Sequence, residues 1–164
     1  MARRVGGKGP QSPEEWLQCA VRYLARLDRT AAQVERFLAG KGASPAQARQ
    51  VTSRLSALRY LDDRAYATRW VAARLVRQPM GRARLKIELV EKGVAEALAD
   101  GVLREALEGL DEETLARQAL RLQRRKGRRL LPSRAVSLLR QRGFEEETIE
   151  RIMEDCREPE GRDS

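Results

Sequence analysis

The chain contains no histidine and only two cysteines, Cys19 and Cys156, which stand far apart. Without histidine the common zinc spacings and the Cys/His nucleophile pair are excluded, so both thiols read as structural or incidental. Aromatic residues make up 4% of the 164 positions, and runs of β-branched residues are few. No apolar run approaches the ~20 residues needed to cross a bilayer. Met1 to Pro10 lacks the hydrophobic segment of a secretory signal. These absences point to a cytoplasmic protein that does not enter the membrane. The apolar content of 41% is low for a globular chain and implies a thin core. Segments rich in Ala, Leu, Arg, Glu and Gln point to an all-α fold.

One short pattern recurs. "FLAGKG" (Phe37 to Gly42), "ELVEKG" (Glu88 to Gly93) and "LLRQRG" (Leu138 to Gly143) place glycines in steps of 51 and 50 residues. Leu38, Leu89 and Leu139 stand four residues before the glycine, and Val51, Val102 and Ile152 nine after it. Each glycine reads as the left-handed residue that ends a helix, with Lys41, Lys92 or Arg142 at the negative end of the dipole. Upstream helices open at Ser12, Asp62 and Asp111, side chains suited to capping and again about 50 residues apart. Thr30 with Gln33 forms a capping box, and Pro132 suits a first helical turn. The expected architecture is therefore three tandem three-helix repeats stacked into an elongated, curved array. Their expected bounds are 12–60, 61–109 and 110–157, with a basic flexible tail over 1–11 and a short tail over 158–164.

Charge follows the same period. The net charge is +9, yet no acid occurs from Thr114 to Phe144 or from Arg64 to Ile87. The first stretch carries Arg117, Arg121, Arg124, Arg125, Lys126, Arg128 and Arg129, and the second carries Arg74, Arg82, Arg84 and Lys86. Acids gather instead in the third helices, at Glu96, Asp100, Glu146 and Asp155 among others. Arg117, Arg121, Arg125 and Arg128 share one helical stripe, while Leu115, Ala119 and Leu122 form another suited to a core. With no acid expected at i+3 or i+4, a polyanion is the natural counter-ion, and guanidinium favours forked contacts to phosphate. Those eleven basic residues are the candidate nucleic-acid contacts. Trp16, Trp70 and Tyr66 fall on apolar stripes and read as core residues.

Asp62 and Asp63 resemble a metal or acid/base pair. Neighbouring helical positions diverge by ~100°, which favours capping instead. Glu88 interrupts an apolar stripe and calls for a basic neighbour, Lys92 or one from an adjoining repeat. No constellation supports catalysis, and no cofactor or metal is expected.

"YLDDRAYATRWVAAR" followed by "GRARLKIELVEKGV" resembles the bacterial RecX regulatory proteins. The likeness runs through Leu61, Asp62, Asp63, Tyr66, Ala67, Arg74, Gly81, Glu88, Leu89, Lys92 and Gly93, and it is close only in the middle repeat. In the first repeat Ser44 and Pro45 follow the glycine and Ala43 where the pattern has an apolar residue. The resemblance implies a cytoplasmic modulator of RecA recombinase that lodges against the RecA filament on single- or double-stranded DNA, and the chain is expected to act as a monomer. It would restrain strand exchange, ATP hydrolysis and coprotease activity. The alternative is a stand-alone, sequence-nonspecific nucleic-acid binder with no recombinase partner.

Overall fold

Capping chemistry sets where the helices begin. Ser12 and Ser44 each form a reciprocal capping box, with Glu15 and Gln47 as partners, and a proline occupies the first turn in both cases. Asp62 accepts from the Ala65 N–H at 2.9 Å and Asp111 from the Thr114 N–H at 2.8 Å. Caps of this kind contribute ~1 kcal/mol each. In the computed structural model, which describes residues 9–125, 127 and 130–156, the described residues form nine α-helices and no strand. These are α1 (Pro13–Leu24), α2 (Ala31–Gly40), α3 (Pro45–Ala57), α4 (Asp63–Arg77), α5 (Arg82–Glu91), α6 (Glu96–Ala106), α7 (Glu112–Arg125), α8 (Pro132–Gln141) and α9 (Glu146–Asp155). Most of the proposed tail over 1–11, and all of 158–164, lie outside the described residues.

The three periodic glycines all follow the second helix of a triplet, with φ of 103° at Gly42, 89° at Gly93 and 72° at Gly143. The leucines four residues earlier are fully buried, as are their partners Val102 and Ile152 nine residues later. The residue after each glycine, Ala43, Val94 or Phe144, is buried as well. In the first triplet the small Ala43 takes that place, and Ser44 and Pro45 then open α3.

Two compact units divide the chain: one holds the described residues of Met1–Tyr66 with Lys92–Val94, the other those of Ala67–Glu91 with Ala95–Ser164. The first is cored by Trp16, Ala20, Val34, Leu38, Val51 and Leu55, with Tyr23 and Phe37 stacked at 3.9 Å on its margin. In the second, Leu115, Ala116, Ala119 and Leu120 of α7 pack with Ala135, Leu139, Phe144, Ile149 and Ile152. The α7 core stripe is thus 115/116/119/120. It differs from the expected 115/119/122, because Leu122 is only half-buried while Ala116 and Leu120 turn inward. A helix packed against two neighbours, α8 and α9, buries a wider stripe than a single seam requires.

The same joint occurs once in each unit. In the first, the Thr30 hydroxyl donates to the Lys92 carbonyl at 2.6 Å, and an ideal Cβ on Gly93 would stand 2.3 Å from the Ala32 Cβ. In the second, the Gly81 N–H donates to the Arg142 carbonyl at 2.8 Å, and a Cβ on Gly143 would stand 2.6 Å from the Arg84 Cβ. At both joints the N-terminus of a second helix meets the chain that ends the next second helix, so unfilled N–H groups and carbonyls face one another.

Candidate nucleic-acid interface

Arg117 does not stand free, contrary to the absence of acidic neighbours expected from its stripe. It pairs with Glu113 at 2.7 Å, one turn earlier, and with Asp155 of α9. Both partners hold its guanidinium above the ordinary arginine range, Glu113 more strongly. Further along α7, Arg121, Arg124 and Arg125 are exposed, with no ion pair among the described residues. Lys126, Arg128 and Arg129 lie outside the described residues. Arg124 and Arg125 also sit in the last turn of α7, where a cation complements the helix dipole.

The four candidate basic residues of the middle segment, Arg74, Arg82, Arg84 and Lys86, are all engaged. Arg74 and Arg84 converge on Glu88 at 3.0 and 3.1 Å, and Arg74 also covers the Trp70 ring at 5.1 Å. Glu88 is therefore answered from α4 and α5. Lys86 contacts Glu96 at 2.8 Å and Asp100 at 2.9 Å, and Arg82 lies 3.8 Å from Asp100. The hydrogen bonds that Lys86 donates to Glu96 and Asp100 raise its pKa, and the one to Asp100 lowers the pKa of that carboxyl. Arg140 likewise pairs with Glu146. The acids of α6 and α9 therefore fold back onto the basic helices in part, rather than forming a separate acidic face. Sequence periodicity within one helix does not register such pairs, because they join different helices.

Asp62 and Asp63 have different tasks. Asp62 caps its own helix, whereas Asp63 accepts from the Ala31 N–H at 2.9 Å, at the start of α2. Burial pushes the Asp63 pKa up, and the Ala31 hydrogen bond opposes that rise only in part. The two carboxylates thus point to separate backbone targets. Among the described residues no group of three or more potential ligands is placed to hold a metal. No described helix is long and apolar enough to cross a membrane.

Residues 62–103 match the model of the second three-helix domain of RecX. The chain is 34% identical over 140 residues to the regulatory protein RecX of Chlorobaculum tepidum, covering 81% of this chain and 82% of the relative. It is 37% identical over 130 residues to the regulatory protein RecX of Thermus thermophilus, covering 79% and 84%. The chain belongs to the RecX family. Its fold matches the crystal structure of RecX from Lactobacillus salivarius, with a TM-score of 0.66 at 20% identity over 88% of this chain and 96% of that one. The RecX resemblance read from the middle repeat therefore extends over most of the sequence, and these RecX relatives are named as regulatory proteins.

Proposed function

We propose that the chain regulates the RecA recombinase–DNA filament, binding it as a cytoplasmic monomer and restraining strand exchange, ATP hydrolysis and coprotease activity. In this reading the three-helix repeats 12–60, 61–109 and 110–157 are its modules, and it performs no chemistry and needs no cofactor. RecX membership supports the partner. The observation that supports the DNA contact is the trio Arg121, Arg124 and Arg125, exposed on α7 with no ion pair among the described residues. Lys126, Arg128 and Arg129 extend the same basic stretch. Arg117, Arg74, Arg82, Arg84 and Lys86 join the contact by exchanging a carboxylate for phosphate, a cost not incurred by the trio, which has no ion pair among the described residues. The Arg82 and Lys86 pairs with Asp100 are largely exposed, and such pairs are worth only ~0–1 kcal/mol, so exchange is easiest there.

The same trio also suits a nucleic-acid binder with no protein partner. Capture from a nuclease-treated lysate separates the two readings. Retention of the recombinase, together with dose-dependent inhibition of its DNA-dependent ATPase, is the expected result. Loss of the recombinase once nucleic acid is digested, with no ATPase inhibition, would leave only the stand-alone binder.

A further inference from the structure

Arg142 follows α8 at its C-cap and is only 8% exposed. Of the five N–H donors of its guanidinium, one reaches the Pro79 carbonyl, at 3.5 Å. It forms no ion pair among the described residues. Its side chain lines a cavity of about 480 Å³ with Gln78, Met80, Arg84, Glu88 and Gln141. The one carboxylate among these is already committed: Glu88 Oε2 accepts from Arg74 and Oε1 from Arg84. The cavity is thus lined by two guanidinium groups, Arg84 and Arg142, and one carboxylate, which is also paired with Arg74 outside the lining.

A buried cation without a counter-charge is costly. Burial alone pushes the Arg142 pKa down, with no neighbouring charge to offset it. The backbone holds the group in place nonetheless, since the Arg142 carbonyl is tied to the Gly81 N–H and Gly143 packs directly on Arg84. Among the described residues the cavity's one carboxylate, Glu88, is held by Arg74 and Arg84 rather than by Arg142.

We propose that this cavity is a phosphate site, with Arg142 and Arg84 as its charged donors and Gln78 and Gln141 as neutral ones. A carboxylate or a phosphodiester would bring one negative charge. A phosphate monoester or inorganic phosphate carries about −1.5 to −2 at pH 7 and so offsets more of the positive charge of Arg142, Arg84 and the adjacent Arg74. Guanidinium forks suit its planar pairs of oxygens. The group is either free phosphate, alone or on a nucleotide, or the terminal phosphate of a nucleic-acid strand. The inference goes beyond filament binding and does not depend on it, and no recombinase assay enters its test.

The full-length chain is melted in inorganic phosphate and in chloride at equal ionic strength. A phosphate-dependent rise in Tm that saturates in the wild type and is absent in Arg142→Gln is expected. Binding of a 5′-phosphorylated oligonucleotide is then compared with its 5′-hydroxyl counterpart. A preference of roughly tenfold that vanishes in Arg142→Gln assigns the strand end; equal binding beside a retained phosphate shift assigns free phosphate. Gln141→Glu supplies an internal carboxylate and should raise Tm without phosphate while blunting the phosphate response, which keeps the test decisive if Arg142→Gln does not fold. Equal phosphate shifts in wild type and Arg142→Gln, an undiminished response in Gln141→Glu, or an Arg142-dependent shift with a poly-glutamate peptide but none with phosphate would each overturn the proposal.

Discussion

The Thr30 hydroxyl donates to the carbonyl of Lys92, 62 residues away, and accepts from the Gln33 N–H of its own helix. One oxygen therefore serves as a local helix cap and as a long-range tie, and Thr30 is fully buried. Thr30→Val keeps the shape and removes both bonds. A loss of about 1–3 kcal/mol is expected from the unsatisfied carbonyl and the missing cap. Thr30→Ser, which keeps the hydroxyl, should retain most of the stability. Denaturant unfolding of the two variants checks this, and equal midpoints would show that the tie contributes nothing.

The periodic glycines should not be equivalent under substitution. A Cβ on Gly42 meets nothing within 4 Å, so Gly42→Ala faces only the left-handed backbone, about 1–2 kcal/mol. Gly93→Ala adds a collision with the Ala32 Cβ, and Gly143→Ala one with the Arg84 backbone nitrogen at 2.6 Å. Overpacking of this kind adds about 1–3 kcal/mol. Ala32→Gly should recover part of the Gly93→Ala loss and none of the Gly42→Ala loss, as a double-mutant cycle would read.

Asp100 supplies a pH signature. Its pKa is lowered from the ordinary 3.8, chiefly by the Lys86 hydrogen bond. A carboxyl depressed in the folded state stabilises above its unfolded pKa, and that contribution disappears as pH falls through the lower folded value. Asp100→Asn should therefore melt below the wild type at neutral pH, with the gap closing in acid beneath 3.8. A gap independent of pH would mean that packing, not charge, is lost.

Arg121 and Arg125 carry the nucleic-acid prediction. Changing both to Ala should weaken binding to unrelated DNA sequences about equally and lower the salt slope by roughly one unit per lost phosphate contact. Inhibition of the recombinase ATPase should fall in parallel. Stability should move by no more than about 0.5 kcal/mol, since both side chains are exposed and outside the α7 core. Unchanged affinity, slope and inhibition with an intact fold would make this a merely solvated face.

Much of the candidate interface was legible as composition, because a stretch free of acids is visible in one dimension. Which of its cations are free was not. Arg117 looked like its stripe-mates until Asp155, 38 residues on, was brought against it. Glu88 showed only as a charge in an apolar stripe, and Arg142 only as a basic residue before a helix stop. Whether a guanidinium is buried, and which acids come near it, are properties of the surrounding helices, not of its neighbours in sequence.

Sequence alone determined the helices and their period: side chains cap backbone within three or four residues, glycine ends a helix wherever φ turns positive, and apolar residues repeat with the turn. These are short-range effects, so Ser12, Thr30, Asp62, Asp111 and the three glycines could be read directly. Tertiary structure decided what those elements meet. It turned Asp63 from its own helix to Ala31, set Thr30 on Lys92 and Gly81 on Arg142, and folded Asp100 and Asp155 onto basic side chains. Hydrogen bonds and ion pairs act only within a few ångströms, and only the packed helices decide which distant residues come that close.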